Sequence, residues 1–148
     1  MIISTKGRYG VRAMFVLAKR YNEEELTSIK YIANEQEISE QYLEQLFSKL
    51  KTANLIESVR GQKGGYRLSA PPTDISVGQI LRALEGPLAP TECVVDETGG
   101  CAKSESCTTH NMWKTVYDGI NRVVDEMSLA DMLNDFNKNN NEIENCRS

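Results

Sequence analysis

The apolar positions of this chain fall first into helical rows. Over residues 5–20, Val11, Met14, Phe15, Leu17 and Ala18 recur at the spacing of one helix face, which predicts an amphipathic helix. Asn22 and Glu23-Glu24-Glu25 break the row and read as an exposed loop. A short second helix is expected over residues 28–34, burying Ile29, Ile32 and Ala33. After a turn at 35–38, a third helix capped by Ser39 is expected to run to about residue 53. Its inward stripe is Leu43, Leu46, Phe47 and Leu50, and Gln41, Glu44, Gln45, Ser48 and Lys49 fall outside it.

The period then changes. Leu55-Ile56-Glu57-Ser58-Val59 and Tyr66-Arg67-Leu68-Ser69 are β-compatible runs. They bracket Arg60-Gly61-Gln62-Lys63-Gly64-Gly65, a glycine-rich hairpin loop with two cations. Pro71-Pro72 ends this unit. Ser76-Val77-Gly78-Gln79 has the capping-box spacing and opens a helix through about residue 84, stopped by Gly86-Pro87. Residues 87–110 read as a loop holding three of the four cysteines. From Asn111 onward, Trp113, Val116, Ile120, Val123 and Met127 form a heptad-like seam. Leu129, Met132, Leu133 and Phe136 continue its apolar face, and the Asn- and Glu-rich end, with Cys146, reads as frayed.

Helix, helix, helix and a two-stranded wing is the order of a winged helix-turn-helix. The expected fold is therefore mainly α with a small β element (α+β). The expected organisation is a winged helix-turn-helix at 1–72, a connecting helix and ligand-bearing loop at 73–110, and a long dimerisation helix with its tail at 111–148. A generic small α+β core has similar elements, so it is their ordered combination that points to nucleic acid.

Composition adjusts this picture little. The 148 residues, 40% hydrophobic and 26% charged, suit an ordinary globular protein. Apolar runs fall far short of the roughly 20 residues of a membrane span, and the start, Met1-Ile2-Ile3-Ser4-Thr5-Lys6, lacks a signal-peptide core, so a cytoplasmic location is expected. The net charge of −4 is unevenly spread: residues 1–69 hold 11 Lys+Arg against 8 Asp+Glu, and residues 70–148 hold 6 against 13. A basic half joined to an acidic half permits one phosphate-facing module.

The third helix is sized for the major groove, where side chains reach base edges. Gln41 and Gln45 can each make paired bonds to adenine, and Glu44 can accept from a cytosine amino group. Lys49 and Lys51 suit phosphates. Arg60 or Lys63, on a slim glycine turn, could enter the minor groove. The partner expected is double-stranded DNA with a palindromic operator, read by a homodimer joined through the Trp113–Met127 seam. Enzymatic chemistry finds no support, because the single histidine pairs with no nucleophile and no Walker or dinucleotide motif is present.

Cys93-x7-Cys101-x5-Cys107-x2-His110 supplies four soft or borderline donors within 18 residues. Thiolates suit zinc, Cu(I) and iron–sulfur clusters, and imidazole suits zinc or iron. A closed zinc site, an iron–sulfur cluster, a thiol–disulfide switch and free structural thiols are all compatible with the residues. The lack of a short Cys-x-x-Cys knuckle counts against structural zinc. Small polar neighbours count against buried structural thiols.

Three stretches carry a family resemblance. Ser4-Thr5-Lys6-Gly7-Arg8-Tyr9-Gly10, Ser39-x-x-Tyr42-Leu43-Glu44-Gln45-Leu46 and Val59-Arg60-Gly61-x-x-Gly64-Gly65-Tyr66 closely resemble, in order, the IscR/NsrR/CymR family of bacterial winged-helix regulators. The likeness extends to about residue 136. It implies that Glu44 and Gln45 contact bases and that Arg60 occupies the minor groove, while Gln41 stands where members vary. The donors Cys93, Cys101, Cys107 and His110 resemble the IscR set of three cysteines and one histidine, which implies an iron–sulfur cluster. The first interval is longer than in IscR and resembles that of NsrR-like nitric-oxide sensors. Such sensors recruit an aspartate near the N-terminus to a [4Fe–4S] cluster, whereas Arg8 stands there in this chain and cannot ligate iron. The resemblance therefore implies [2Fe–2S], with [4Fe–4S] and zinc as alternatives. Residues 84–90 instead resemble CymR-like regulators of cysteine metabolism, which lack the cysteine ligands.

The expected function is a cluster-sensing repressor of genes for iron–sulfur assembly, cysteine metabolism or both. A nitric-oxide or redox sensor of the same family and a zinc- or thiol-containing DNA binder are the alternatives. A neutral His110 is required for ligation, so assembly should be proton-sensitive, and imidazole in place of thiolate raises a cluster's potential.

Overall fold

The computed structural model describes residues 1–96 and 106–147. Its elements are α1 (Thr5–Lys19), α2 (Ile29–Gln36), α3 (Glu40–Thr52), β1 (Ile56–Val59), β2 (Gly65–Leu68), α4 (Val77–Glu85), α5 (His110–Glu126) and α6 (Leu129–Arg147). Short 3-10 turns lie at Pro72–Asp74 and Glu92–Val94. No helix among the described residues is long and apolar enough to cross a membrane.

The helix-turn-helix is built from two serine caps and one left-handed residue. Ser28 Oγ accepts from Tyr31 N at 3.1 Å and Ser39 Oγ from Tyr42 N at 3.2 Å, each satisfying an otherwise free donor of a first turn. Between them Glu37 adopts φ 54°, and the chain reverses so that Ile38 N reaches Ala33 O at 3.1 Å. Ile38 is buried, which anchors the turn in the core.

The hairpin pairs Ile56 with Leu68 and Ser58 with Tyr66. Ile56 and Leu68 face inward and are buried. A third segment joins it: Thr27, just before the α2 cap, bonds Tyr66 in both directions, at 3.0 and 2.8 Å. A Cβ at Gly65 would stand 2.6 Å from the Thr27 carbonyl oxygen. Glycine is what lets these backbones approach, and the wing is thereby stitched to the helix pair.

One core joins the helix-turn-helix and its wing to α4 and the start of α6. Met14, Ile32, Leu43, Leu46, Phe47 and Leu50 share it with Ile75 and Ile80, around α4, and with Leu129 from the start of α6. The α1–α4 crossing is close because α1 offers glycines. A Cβ at Gly7 would meet the Glu85 carboxylate at 2.7 Å, and one at Gly10 would overlap Leu84 Cδ1. Glu85 also accepts from Ser4 N at 2.5 Å, capping α1 from another helix.

The structure departs from the sequence reading at the C-terminal end. The apolar row from Trp113 to Phe136 is not one helix; it breaks at Met127-Ser128. Val77 N bonds Met127 O at 2.8 Å and Leu129 N bonds Ile75 O at 2.9 Å. Ser128 and Asp131 then cap α6 reciprocally, at 2.9 and 3.1 Å, a Ser-x-x-Asp box unnoticed inside an apolar row. These bonds lower the Asp131 carboxyl below its usual range. Helix α6 returns along α1, where Phe136 meets Phe15 edge-on at 5.4 Å and the Lys19 ammonium lies over both rings. The segment expected to fray is helical to Arg147, although its side chains are exposed from Asn134 onward.

The α1–α4 crossing gives a direct test. Gly10→Val should destabilise the fold by about 2 kcal/mol through overpacking, read as a lower urea midpoint at unchanged slope. Leu84→Ala should cost less in that background than alone, since the two changes share one space.

Candidate functional site

The outward face of α3 carries Gln41, Glu44, Gln45 and Lys49, all exposed, while Leu43, Leu46, Phe47 and Leu50 anchor the opposite face. Residues three and four apart on a helix are surface neighbours, so these four side chains form one polar strip. Beside it the hairpin turn closes with Gly64 N on Gly61 O at 3.0 Å. Gly61 has φ +124°, a conformation that favours glycine, and a Cβ at Gly64 would strike the Val59 carbonyl oxygen. Arg60 and Lys63 are exposed on this turn.

Strip and turn flank a groove of about 530 Å³, lined by Glu44, Ser48 and Lys51 of α3 and by Ser58, Arg60 and Tyr66 of the hairpin. At its base the Phe47 and Tyr66 rings meet edge-on at 4.7 Å. Burial raises the Tyr66 hydroxyl above its ordinary value of 10.0, and the Glu44 carboxylate adds to the effect. The phenol is therefore neutral at physiological pH. Lys51, which the sequence groups with the phosphate-facing cations, donates to Ser58 Oγ at 2.7 Å.

A tie that residue order alone does not single out is Arg12 of α1. Its guanidinium donates to Gln36 Oε1 at 2.9 Å and to the Gln36 carbonyl at 3.0 Å. It also lies 5.3 Å over the Tyr9 ring, which meets Tyr42 edge-on at 6.1 Å. Arg12 thus ties α1 to the end of α2 and the first turn of α3. Only the folded arrangement reveals a link spanning 24 residues of sequence.

The second constellation begins at the Glu92–Val94 turn, which packs against α5. Cys93 is half-buried there, its sulfur 3.1 Å from Thr91 Oγ1. Cys107 is exposed, 3.4 Å from Thr109 Oγ1. The Thr109 side-chain hydrogen bond, followed by its backbone bond, holds the Cys107 thiol below its ordinary value of 9.0. His110 opens α5, its backbone N–H reaching Cys107 O at 3.4 Å. Its Nδ1 is buried with no hydrogen-bond partner among the described residues. Cys101 lies outside the described residues, and among those described no three His, Cys, Asp or Glu side chains are gathered to hold a metal. Two thiols and an unpartnered imidazole nitrogen are nonetheless donor types that an iron–sulfur cluster or zinc accepts.

Helix α5 is held to α4 by polar contacts. Arg82 Nη2 grips both Asp125 oxygens at 2.6 and 2.7 Å and also bonds Asn121 Oδ1 at 3.0 Å. Asn121 Nδ2 donates to the Leu88 carbonyl at 3.3 Å, reaching the strand of chain that leads to Cys93. No α5 residue is buried, and along its seam Val116, Val123 and Met127 remain 38%, 56% and 44% exposed.

Known proteins agree with this arrangement. A family model described as Rrf2, iron-dependent transcriptional regulator, matches residues 3–135. The chain is 45% identical over 132 residues to the HTH-type transcriptional regulator CymR of Bacillus subtilis, covering 89% of each protein. It is 39% identical over 135 residues to the HTH-type regulator IscR of Aliivibrio salmonicida, covering 91% of this chain and 79% of that one. Among solved structures, that of CymR, the global cysteine regulator of B. subtilis, matches with TM-score 0.72 at 42% identity over 89% of this chain and 95% of CymR. T. potens IscR matches with TM-score 0.72 at 44% identity, over 91% and 88%.

The thiol geometry predicts a reactivity. In metal-free, reduced protein, alkylation of Cys107 by iodoacetamide should show a pH midpoint below 9.0, because the thiolate is the nucleophile. Thr109→Val should move that midpoint upward, as followed by peptide mass spectrometry.

Proposed function

The chain belongs to the Rrf2 family of DNA-binding transcriptional regulators, and from that premise we propose that it is a homodimeric repressor whose grip on DNA is set by an iron–sulfur cluster. The observation that carries the cluster reading is the buried, unpartnered Nδ1 of His110 at the head of α5, a short turn after Cys107. Cys93, Cys101, Cys107 and His110 are the residues proposed to hold it, with [2Fe–2S] favoured because His110 is present and Arg8 offers no carboxylate as a fourth ligand. When bound, the cluster would supply a tether between loop and helix that oxidants or iron scarcity can remove.

The protein's own residues account for the rest. Gln45 and Gln41 offer paired bonds to adenine and Glu44 accepts from cytosine in the major groove. Lys49 faces the phosphates, while Arg60, supported by Lys63, enters the minor groove. Two copies meet through the exposed α5 seam, so a two-fold operator is read by two heads. His110 and the seam share one helix, and the Arg82–Asn121–Asp125 contacts fasten that helix to α4. Cluster binding is thereby coupled to the spacing between heads.

A second reading has its own support. The 45% identity to CymR, and the description of its structure as a global cysteine regulator, favour genes of cysteine metabolism as targets. In that case the thiols act without a cluster.

Anaerobically purified protein should show visible absorbance with stoichiometric iron and sulfide, and Cys107→Ala should abolish it. Retained colour in that variant would reject Cys107 as a ligand, and zinc in place of iron and sulfide in the unaltered protein would reject the cluster. Fluorescence-anisotropy titration against a duplex pool should show binding that weakens steeply with salt; no affinity at low ionic strength, with or without iron, would reject the DNA reading. Val116→Glu with Val123→Glu should raise the dimer dissociation constant about 100-fold, close to 3 kcal/mol, in analytical ultracentrifugation. Helix content should not change, because both side chains are exposed in the single chain.

A further inference from the structure

Lysines on a recognition helix are ordinarily assigned to phosphates, and α3 carries two, Lys49 and Lys51. The fold separates them. Lys49 is exposed on the same strip as Gln41 and Gln45. Lys51, two residues on, lies about 200° further round a helix of 3.6 residues per turn. It lines the groove between α3 and the hairpin, where its ammonium bonds Ser58 Oγ at 2.7 Å. That length is typical of a charge-assisted hydrogen bond.

Ser58 stands on β1 one residue before Val59 and two before Arg60, directly opposite Tyr66. The Lys51–Ser58 bond therefore spans from the last turn of α3 to the strand that delivers Arg60. Other wing contacts act elsewhere. The Thr27–Tyr66 pair fixes the α2 side of β2, and Phe47 against Tyr66 fills the groove base. Arg67 and Glu57 pair at 2.9 Å between the two strands themselves. Among these contacts, only Lys51–Ser58 is a polar bond between α3 and β1.

We propose that Lys51 is a positioning residue that sets the angle between recognition helix and wing, and that it makes no phosphate contact. It thereby tunes how strongly minor-groove sequence is read relative to major-groove sequence. This rests on the reading that α3 and the hairpin grip one duplex together.

The test compares Lys49→Gln, Lys51→Gln, Ser58→Ala and the double variant Lys51→Gln/Ser58→Ala in the full chain. The probe is a pool of duplexes with randomised centres, enriched on the unaltered protein and sequenced, with binding of the best members then measured across salt. Loss of a phosphate contact weakens all sequences alike and lowers the salt slope by about one per contact. Lys49→Gln should behave that way. Lys51→Gln should keep the slope, lose about fivefold in affinity, a loss of one-hydrogen-bond size, and flatten base preference at the wing-read positions. Ser58→Ala, which changes no charge, should reproduce that profile, and the double variant should be no worse than either single one. Lys51→Arg, long enough to reach Ser58, should restore the preference. A reduced salt slope for Lys51→Gln, a silent Ser58→Ala, or additive losses would each overturn the proposal. Failure of the unaltered chain to bind any duplex would overturn the underlying reading and this inference together.

Discussion

The structure depends on the close passage of α1 over α4 that Gly7 and Gly10 permit. Helix α1 is the common wall of the fold. Arg12 fastens it to the helix-turn-helix, Phe15 and Lys19 receive α6, and its first turn takes the Glu85 carboxylate. With side chains at those two positions the helices would stand further apart, and Leu84, Ile80 and Leu129 would lose the contacts that place them in one core with Leu46 and Phe47. Dense interiors do not stretch to accommodate such a change; they repack or open. The head that carries the polar strip is thereby packed against α4, and α4 in turn holds α5 through Arg82, Asn121 and Asp125.

That attachment leaves an exposed apolar seam on α5. A helix with no buried residue, yet with Trp113, Val116, Ile120 and Val123 along one face, is unfinished within a single chain. Polar contacts hold it in place on one side, through Arg82, Asn121 and Asp125, leaving the apolar side exposed. In the proposed dimer the operator spacing is then set by helix geometry. His110, the first residue of the same helix, is where a change in the cysteine loop would act. The proposed coupling thus needs no long pathway, since one helix carries both ends of it.

The reading head shows the same economy at smaller scale. Serine caps start α2 and α3, a left-handed Glu37 turns between them, and Thr27 binds the wing at the point where α2 begins. Each device satisfies backbone donors or acceptors that a short element leaves free. The groove they create places Glu44, Tyr66 and Lys51 within one space. Burial there raises the Tyr66 hydroxyl above its ordinary value, and the Glu44 carboxylate adds to the effect.

Much of this was legible in residue order alone. The rows of Leu43, Leu46, Phe47 and Leu50, the serine caps and the glycine-rich hairpin turn determined the helix-turn-helix and its wing, because helical period, capping and turn chemistry are local properties. The outward strip of Gln41, Glu44, Gln45 and Lys49 followed from the same periodicity. Tertiary structure decided what distant segments do to one another. It broke the apolar row at Met127-Ser128, since backbone bonds from Val77 and to Ile75 are available only once α4 is in place. It made the helix out of the segment expected to fray and laid its first turns on α1. It also gave the Lys51 ammonium a partner, because the Ser58 hydroxyl on β1 lies within reach only after the hairpin has folded back. Sequence period assigns each residue a side of its own element; which partner waits on that side is settled by packing.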